Sequence, residues 1–86
     1  MEQPLNNELY KLLLVDDEER LLMGLRVVLR RAGFEVQTAK DGNTALTLIR
    51  QNCPHLIICD VMMPPPNGFQ LKKILSEEEQ FASIPF

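Results

Sequence analysis

The 86-residue sequence predicts one small α/β domain, a doubly wound parallel sheet of about three strands in the order 2-1-3 with three helices on its faces. Three observations predict it. Short apolar runs alternate with amphipathic stretches of helical period, giving the order β-α-β-α-β-α. The first and third runs are apolar on both sides, as in parallel strands covered on each face. Both of those runs end in aspartate, which puts negative charge along one edge of the sheet.

Taken in order, residues 1–9 ("MEQPLNNEL") are polar, aperiodic and contain a proline, and read as a flexible leader to a domain over 10–86. "YKLLLV" (10–15) is the first strand and runs into "DDEE". "EERLLMGLRVVLRRA" (18–32) is the clearest helix, because Leu21, Leu22, Leu25, Val28, Leu29 and Ala32 recur at helical spacing as one apolar stripe. Asp16 or Asp17 can cap it, the glutamates favour its first turn, and Gly33 stops it. Gly24 inside costs about 1 kcal/mol relative to alanine, which packing can offset. "FEVQTA" (34–39) alternates as a second, less buried strand, and "KDG" turns the chain. "NTALTLIRQN" (43–52) is a second helix with Ala45, Leu48 and Ile49 inward and Leu46 beside them. "HLIICDV" (55–61) is the third strand, and "GFQLKKILSEEEQ" (68–80) a third helix with Phe69, Leu71, Ile74 and Leu75 as its apolar side. "FASIPF" resembles the start of a further strand.

With strands one and three adjacent, Asp16, Asp17 and Asp60 meet at the carboxyl edge, where such folds hold their ligands. Three carboxylates repel one another, and a divalent cation relieves the conflict. Magnesium takes a few hard oxygens and keeps waters, leaving room for a phosphate oxygen. A carboxylate is a competent nucleophile at phosphorus, and an ion beside Asp60 would screen it from an anionic donor. Pro64, Pro65 and Pro66 stiffen the loop behind it so that a backbone carbonyl can be held toward the metal, and Gly68 permits a close approach.

Each feature has a plainer reading when taken alone. "DDEE" suits a helix cap, and Asp60 suits a turn after a strand. Their joint placement at the ends of two apolar strands favours the site. His55, at the other end of its strand, reads as structural, and Cys59 as a small hydrophobe facing a helix layer. Met62 and Met63 read as core fillers, "SEEEQ" as a solvated helix end, and Arg30–Arg31 as a surface pair.

Composition narrows the class. With 45% hydrophobic and 24% charged residues the chain is ordinary globular protein. A net charge of -3 gives no sign of a nucleic-acid or anionic-membrane surface. No segment is long enough for a membrane span, and the N-terminus lacks a signal-peptide layout, so a cytoplasmic location is expected. Cys53 and Cys59 then read as free thiols, since their spacing fits neither a zinc site nor a CxxC pair.

On "LLLVDDEE", the "KDG…AL" turn and helix, and "LIICDVMMPPPNGF", the sequence resembles the receiver domain of bacterial two-component response regulators. The D-x-x-M-P-x-x-x-G pattern is met by Asp60, Met63, Pro64 and Gly68 without a gap. The resemblance implies a flavodoxin-like fold and a phosphoacceptor role for Asp60, fed by a histidine kinase or phosphotransfer protein. It implies magnesium held directly by Asp17 and Asp60, with Asp16 acting through water or as an anchor behind the direct ligands, and the main-chain carbonyl of Met62 completing the protein ligands. It implies a signalling domain and not an enzyme. The chain stops where a receiver's fourth strand should begin, so strands four and five and the last two helices are expected to be absent. With them go the Ser/Thr and Lys that bind the phosphoryl group, which implies an impaired fragment. A bare third strand would then be an unprotected edge, inviting a homodimer. Two rival readings are a magnesium-dependent aspartyl-phosphate hydrolase and a non-signalling dimerising piece. Met62 stands where the hydrolase motif D-x-D would need aspartate.

Overall fold

The computed structural model describes residues 10–86, so the expected leader lies outside the described residues. Six elements follow in order: β1 (Lys11–Val15), α1 (Glu19–Arg31), β2 (Glu35–Ala39), α2 (Gly42–Gln51), β3 (Leu56–Cys59) and α3 (Gly68–Ser76). The strands form one parallel sheet in the order β2-β1-β3. In register, Leu14 lies between Thr38 and Ile58, and Val15 between Ala39 and Cys59.

Alternation along the central strand divides the molecule into two layers. Leu12 and Leu14 pack with Leu22 of α1 and Val36, while Phe34 and Leu56 close the side. Leu13 and Val15 face the other way, onto Ala45 and Ile49 of α2 and Leu71 and Leu75 of α3. The second layer is the thicker, with ten buried apolar residues against four. Parallel pairing needs crossovers, and the helices between strands supply them.

Local signals set the boundaries. Gly33 has φ 103°, which reverses the chain after α1, and the N–H groups of Gly33 and Phe34 bond the carbonyls of Arg30 and Leu29. Asp41 caps α2 by accepting from the Thr44 N–H at 2.7 Å. Asn67 and Gln70 form a reciprocal capping box at α3. At the foot of the sheet the Lys11 N–H donates to Nδ1 of His55 at 2.8 Å, and Tyr10 stacks on the imidazole. His55 is structural, as its position suggested.

Several expectations need correction. The apolar stripe of α1 is mostly uncovered: Leu22 is buried, but Leu21, Leu25 and Val28 are 47%, 37% and 63% exposed. Beyond β1 the sheet offers that side Val36, Leu56 and Ile58, of which Ile58 is 45% exposed, and no second helix stands beside α1 among the described residues. Asp16 and Asp17 do not cap α1; its N-cap is Glu18, which makes no side-chain cap bond. Gly42 belongs to α2 and not to the preceding turn. The third helix stops at Ser76 and not at 80, because the chain turns back to bury Phe81 at 5% exposure. Met63 is a core filler, whereas Met62 and Phe69 point outward at 81% and 72%. The final residues form no strand, yet the Ile57 N–H donates to the Pro85 carbonyl at 3.0 Å. The outer edge of β3 is therefore met in part by this tail, and is not the bare edge expected.

Candidate functional site

Sheet register builds the site. The Asp16 N–H donates to the Ala39 carbonyl at 3.1 Å, and the Asp60 N–H to the Val15 carbonyl at 2.9 Å. Each aspartate thus continues its strand's pairing by one residue before the chain leaves the sheet. Both are half-buried, and Asp17 is exposed. One carboxylate oxygen from each of Asp16, Asp17 and Asp60 lies within 4.8 Å of the others. All three expected acidic residues are brought together.

Two of the carboxylates are oriented by their own loops. Oδ1 of Asp16 accepts the Glu18 N–H at 2.9 Å, and Oδ1 of Asp60 accepts the Met62 N–H at the same distance. Such turns fix a side-chain rotamer through a backbone donor two residues on. Met62 is tied to the site through its N–H, while its side chain stands in solvent.

The proline loop is seated by two glycines. A Cβ on Gly42 would lie 2.3 Å from the Pro66 carbonyl oxygen, so only glycine lets this loop rest on the start of α2. A Cβ on Gly68 would come to 3.0 Å from the Asp60 carbonyl oxygen. The close approach expected at Gly68 is present. The contact at Gly42 was invisible in the sequence, where "KDG" has the composition of any turn.

Cys59 sits beneath the carboxylates, its Sγ donating to the Asp60 carbonyl at 3.4 Å. Partial burial, with the negative charges of Asp60 and Asp16, pushes its thiol up to about 11. It is a small apolar filler and no nucleophile at neutral pH. The Asp41 carboxyl is held below the usual carboxylate range, chiefly by the Thr44 N–H. Beside the acidic cluster runs a groove of about 200 Å³ lined by Leu14, Leu21, Leu25 and Ile58 together with Asp16 and Asp60.

Comparison with known proteins agrees with this geometry. The sequence profile of the response regulator receiver domain matches residues 12–86. The alkaline phosphatase synthesis transcriptional regulatory protein PhoP of Bacillus subtilis is 41% identical over 69 residues, 80% of this chain and 29% of PhoP. A putative response regulator from Chloroflexus aurantiacus superposes with a TM-score of 0.83 at 38% identity, covering 88% of this chain and 62% of that one. The response regulator TrrA of Thermotoga maritima, solved in complex with Mg(2+)-BeF, gives 0.76 at 28% identity, covering 84% and 63%. The chain thus spans under two thirds of these relatives' lengths. The parallel 2-1-3 sheet, the acidic cluster at its carboxyl edge and the match over 12–86 assign this chain to the response regulator receiver domain family.

Proposed function

We propose that this chain is a phosphoacceptor in which Asp60 takes a phosphoryl group from a histidine kinase or phosphotransfer protein. The observation that carries the reading is the convergence of Asp16, Asp17 and Asp60 at one sheet edge. Receiver domains are signalling domains that bind Mg2+ in an acidic pocket, and response regulators interact with histidine kinases or phosphotransfer proteins. The donors here fit that ion, being hard carboxylate oxygens partly open to water. Asp17 and Asp60 would hold it directly and Asp16 through water, with the main-chain carbonyl of Met62 as a further oxygen. When bound, the ion neutralises the carboxylates and draws in a phosphoryl oxygen.

The remaining work belongs to the chain. The Met62 N–H holds one oxygen of Asp60, leaving the other to attack phosphorus. The new O–P bond forms as the bond from phosphorus to the donor's leaving atom breaks, and that atom keeps the electron pair. The rigid proline loop keeps Asp60 in place, so the contribution is positioning and charge neutralisation. A cytoplasmic location suits these partners. The hydrolase reading is not favoured, since Met62 offers no carboxylate two residues after Asp60.

Intact-mass measurement after incubation with magnesium and acetyl phosphate tests the proposal. One phosphoryl increment is expected, lost in Asp60→Asn and when magnesium is omitted. An increment that survives Asp60→Asn would place the chemistry elsewhere.

A further inference from the structure

α2 and α3 begin alike. Asp41 precedes Gly42 and Asn67 precedes Gly68, and the first residue of each pair caps its helix. Packing favours glycine at both places. A Cβ on Gly42 would meet the Pro66 carbonyl, and one on Gly68 would lie 3.0 Å from the Asp60 carbonyl oxygen and 3.2 Å from Cγ1 of Val61. The chain therefore keeps two dipeptides in which an unhindered backbone nitrogen follows a side-chain carbonyl carbon. Attack of such a nitrogen on that carbon closes a succinimide ring, the first step of asparagine deamidation.

Charge separates the two. The Asp41 carboxyl is held below the usual carboxylate range, chiefly by the Thr44 N–H, so it stays an anion and a poor electrophile. Asn67 carries a neutral amide that can leave as ammonia, and no other asparagine in the sequence precedes glycine. The Gly68 N–H, a first-turn donor, has no hydrogen-bond partner among the described residues. Against the reaction stands the cap. Oδ1 of Asn67 accepts the Gln70 N–H at 3.0 Å, and the Asn67 N–H donates to Oε1 of Gln70 at 2.9 Å. Ring closure must turn the Asn67 amide away from Gln70, so it requires this reciprocal box to open.

We propose that Asn67 is a self-modification site of this chain, held shut by its capping box with Gln70. When the first turn of α3 opens, the Gly68 nitrogen bonds to Cγ of Asn67. The side-chain amide then leaves as ammonia, taking the Gly68 proton, and water opens the ring to aspartate or isoaspartate. Aspartate restores a cap, as Asp41 does for α2. Isoaspartate sends the main chain through the former side chain and adds a methylene beside Gly68, which packs on Asp60. The consequence for phosphoryl uptake rests on the phosphoacceptor reading; the chemistry at Asn67 does not.

Peptide mapping by mass spectrometry, with enzymatic methylation to mark isoaspartate, follows the reaction in the 86-residue chain kept in mildly alkaline buffer. Slow conversion at Asn67 is expected. It should run about 3-fold faster or more in Gln70→Ala, and no faster than the parent in Gln70→Glu, which keeps the acceptor of the box. In urea the parent and Gln70→Ala should react at one rate, because both have lost the box. Far-UV circular dichroism checks that each variant is folded in buffer. No conversion at Asn67 in either folded chain would overturn the proposal. So would equal rates in the two, or a difference that persists in urea. Aged chain is then compared with fresh chain in magnesium and acetyl phosphate. The isoaspartate fraction should take up the phosphoryl group more slowly, and equal uptake would overturn the link to Asp60. No uptake by fresh chain would count against the phosphoacceptor reading and leave the mapping result standing.

Discussion

At the scale of single residues, the site depends on which atoms already occupy the space around a backbone. Gly42 and Gly24 both lie in helices, yet their replacement by alanine should have opposite effects. Gly42→Ala drives a methyl into the Pro66 carbonyl and should destabilise by about 1–3 kcal/mol through overpacking. Gly24→Ala meets open space and should gain about 0.5–1 kcal/mol from helix propensity. Urea unfolding of the two variants at one low protein concentration distinguishes them, and equal signs would refute the packing assigned to Gly42. Cys59 gives a pH prediction. Its thiol is raised from 9.0 to about 11 in the folded chain, so the unfolded chain releases the proton first. The associated stability is fully present below pH 9 and is lost as pH rises toward 11. Cys59→Ala should flatten this part of the stability profile, and an unchanged slope would count against the assignment.

At the scale of elements, caps matter more than composition. α3 begins at a capping box and ends where the chain must bury Phe81, so its length reflects its ends and not the run of helix formers through Glu79. Asn67→Ala removes the side-chain acceptor for the Gln70 N–H and should cost about 0.5–2 kcal/mol. The same change shifts the loop that follows Asp60. Phosphorylation by acetyl phosphate should therefore slow in Asn67→Ala even where the protein remains folded, a comparison that intact mass over time provides. β3 shows how a strand is read differently on its two faces. Ile57 is fully buried against α2 and α3, and its neighbour Ile58 is half in solvent.

At the scale of the whole molecule, this asymmetry becomes a stability map. Ile57→Ala removes a core side chain and should cost about 2–5 kcal/mol. For a small domain that is a large part of the total. Ile58→Ala, one residue on, should cost about 1 kcal/mol or less. Thermal melts of the two variants measure the difference directly, and similar losses would mean that the α1 face is covered in solution. The same map bears on assembly. A homodimer through the edge of β3 was the expectation from sequence, but the Pro85 carbonyl already takes the Ile57 N–H there.

The sequence by itself determined the order of elements, the parallel sheet and the three aspartates at one edge. These follow from local period and strand ends: Leu12 to Val15 are apolar on both faces, and Asp16 and Asp60 each come where a strand must leave the sheet. Register does not follow from that pattern, because in a strand apolar on both faces a one-residue slip exchanges one buried set of side chains for another. Tertiary structure alone decided which members of an apolar stripe are covered, which methionine is core, and which glycine admits a neighbouring loop. Leu21 and Leu22 are the same residue type in the same helix, and only what packs against each tells them apart. Those are contacts between segments distant in the chain, and no local pattern encodes them.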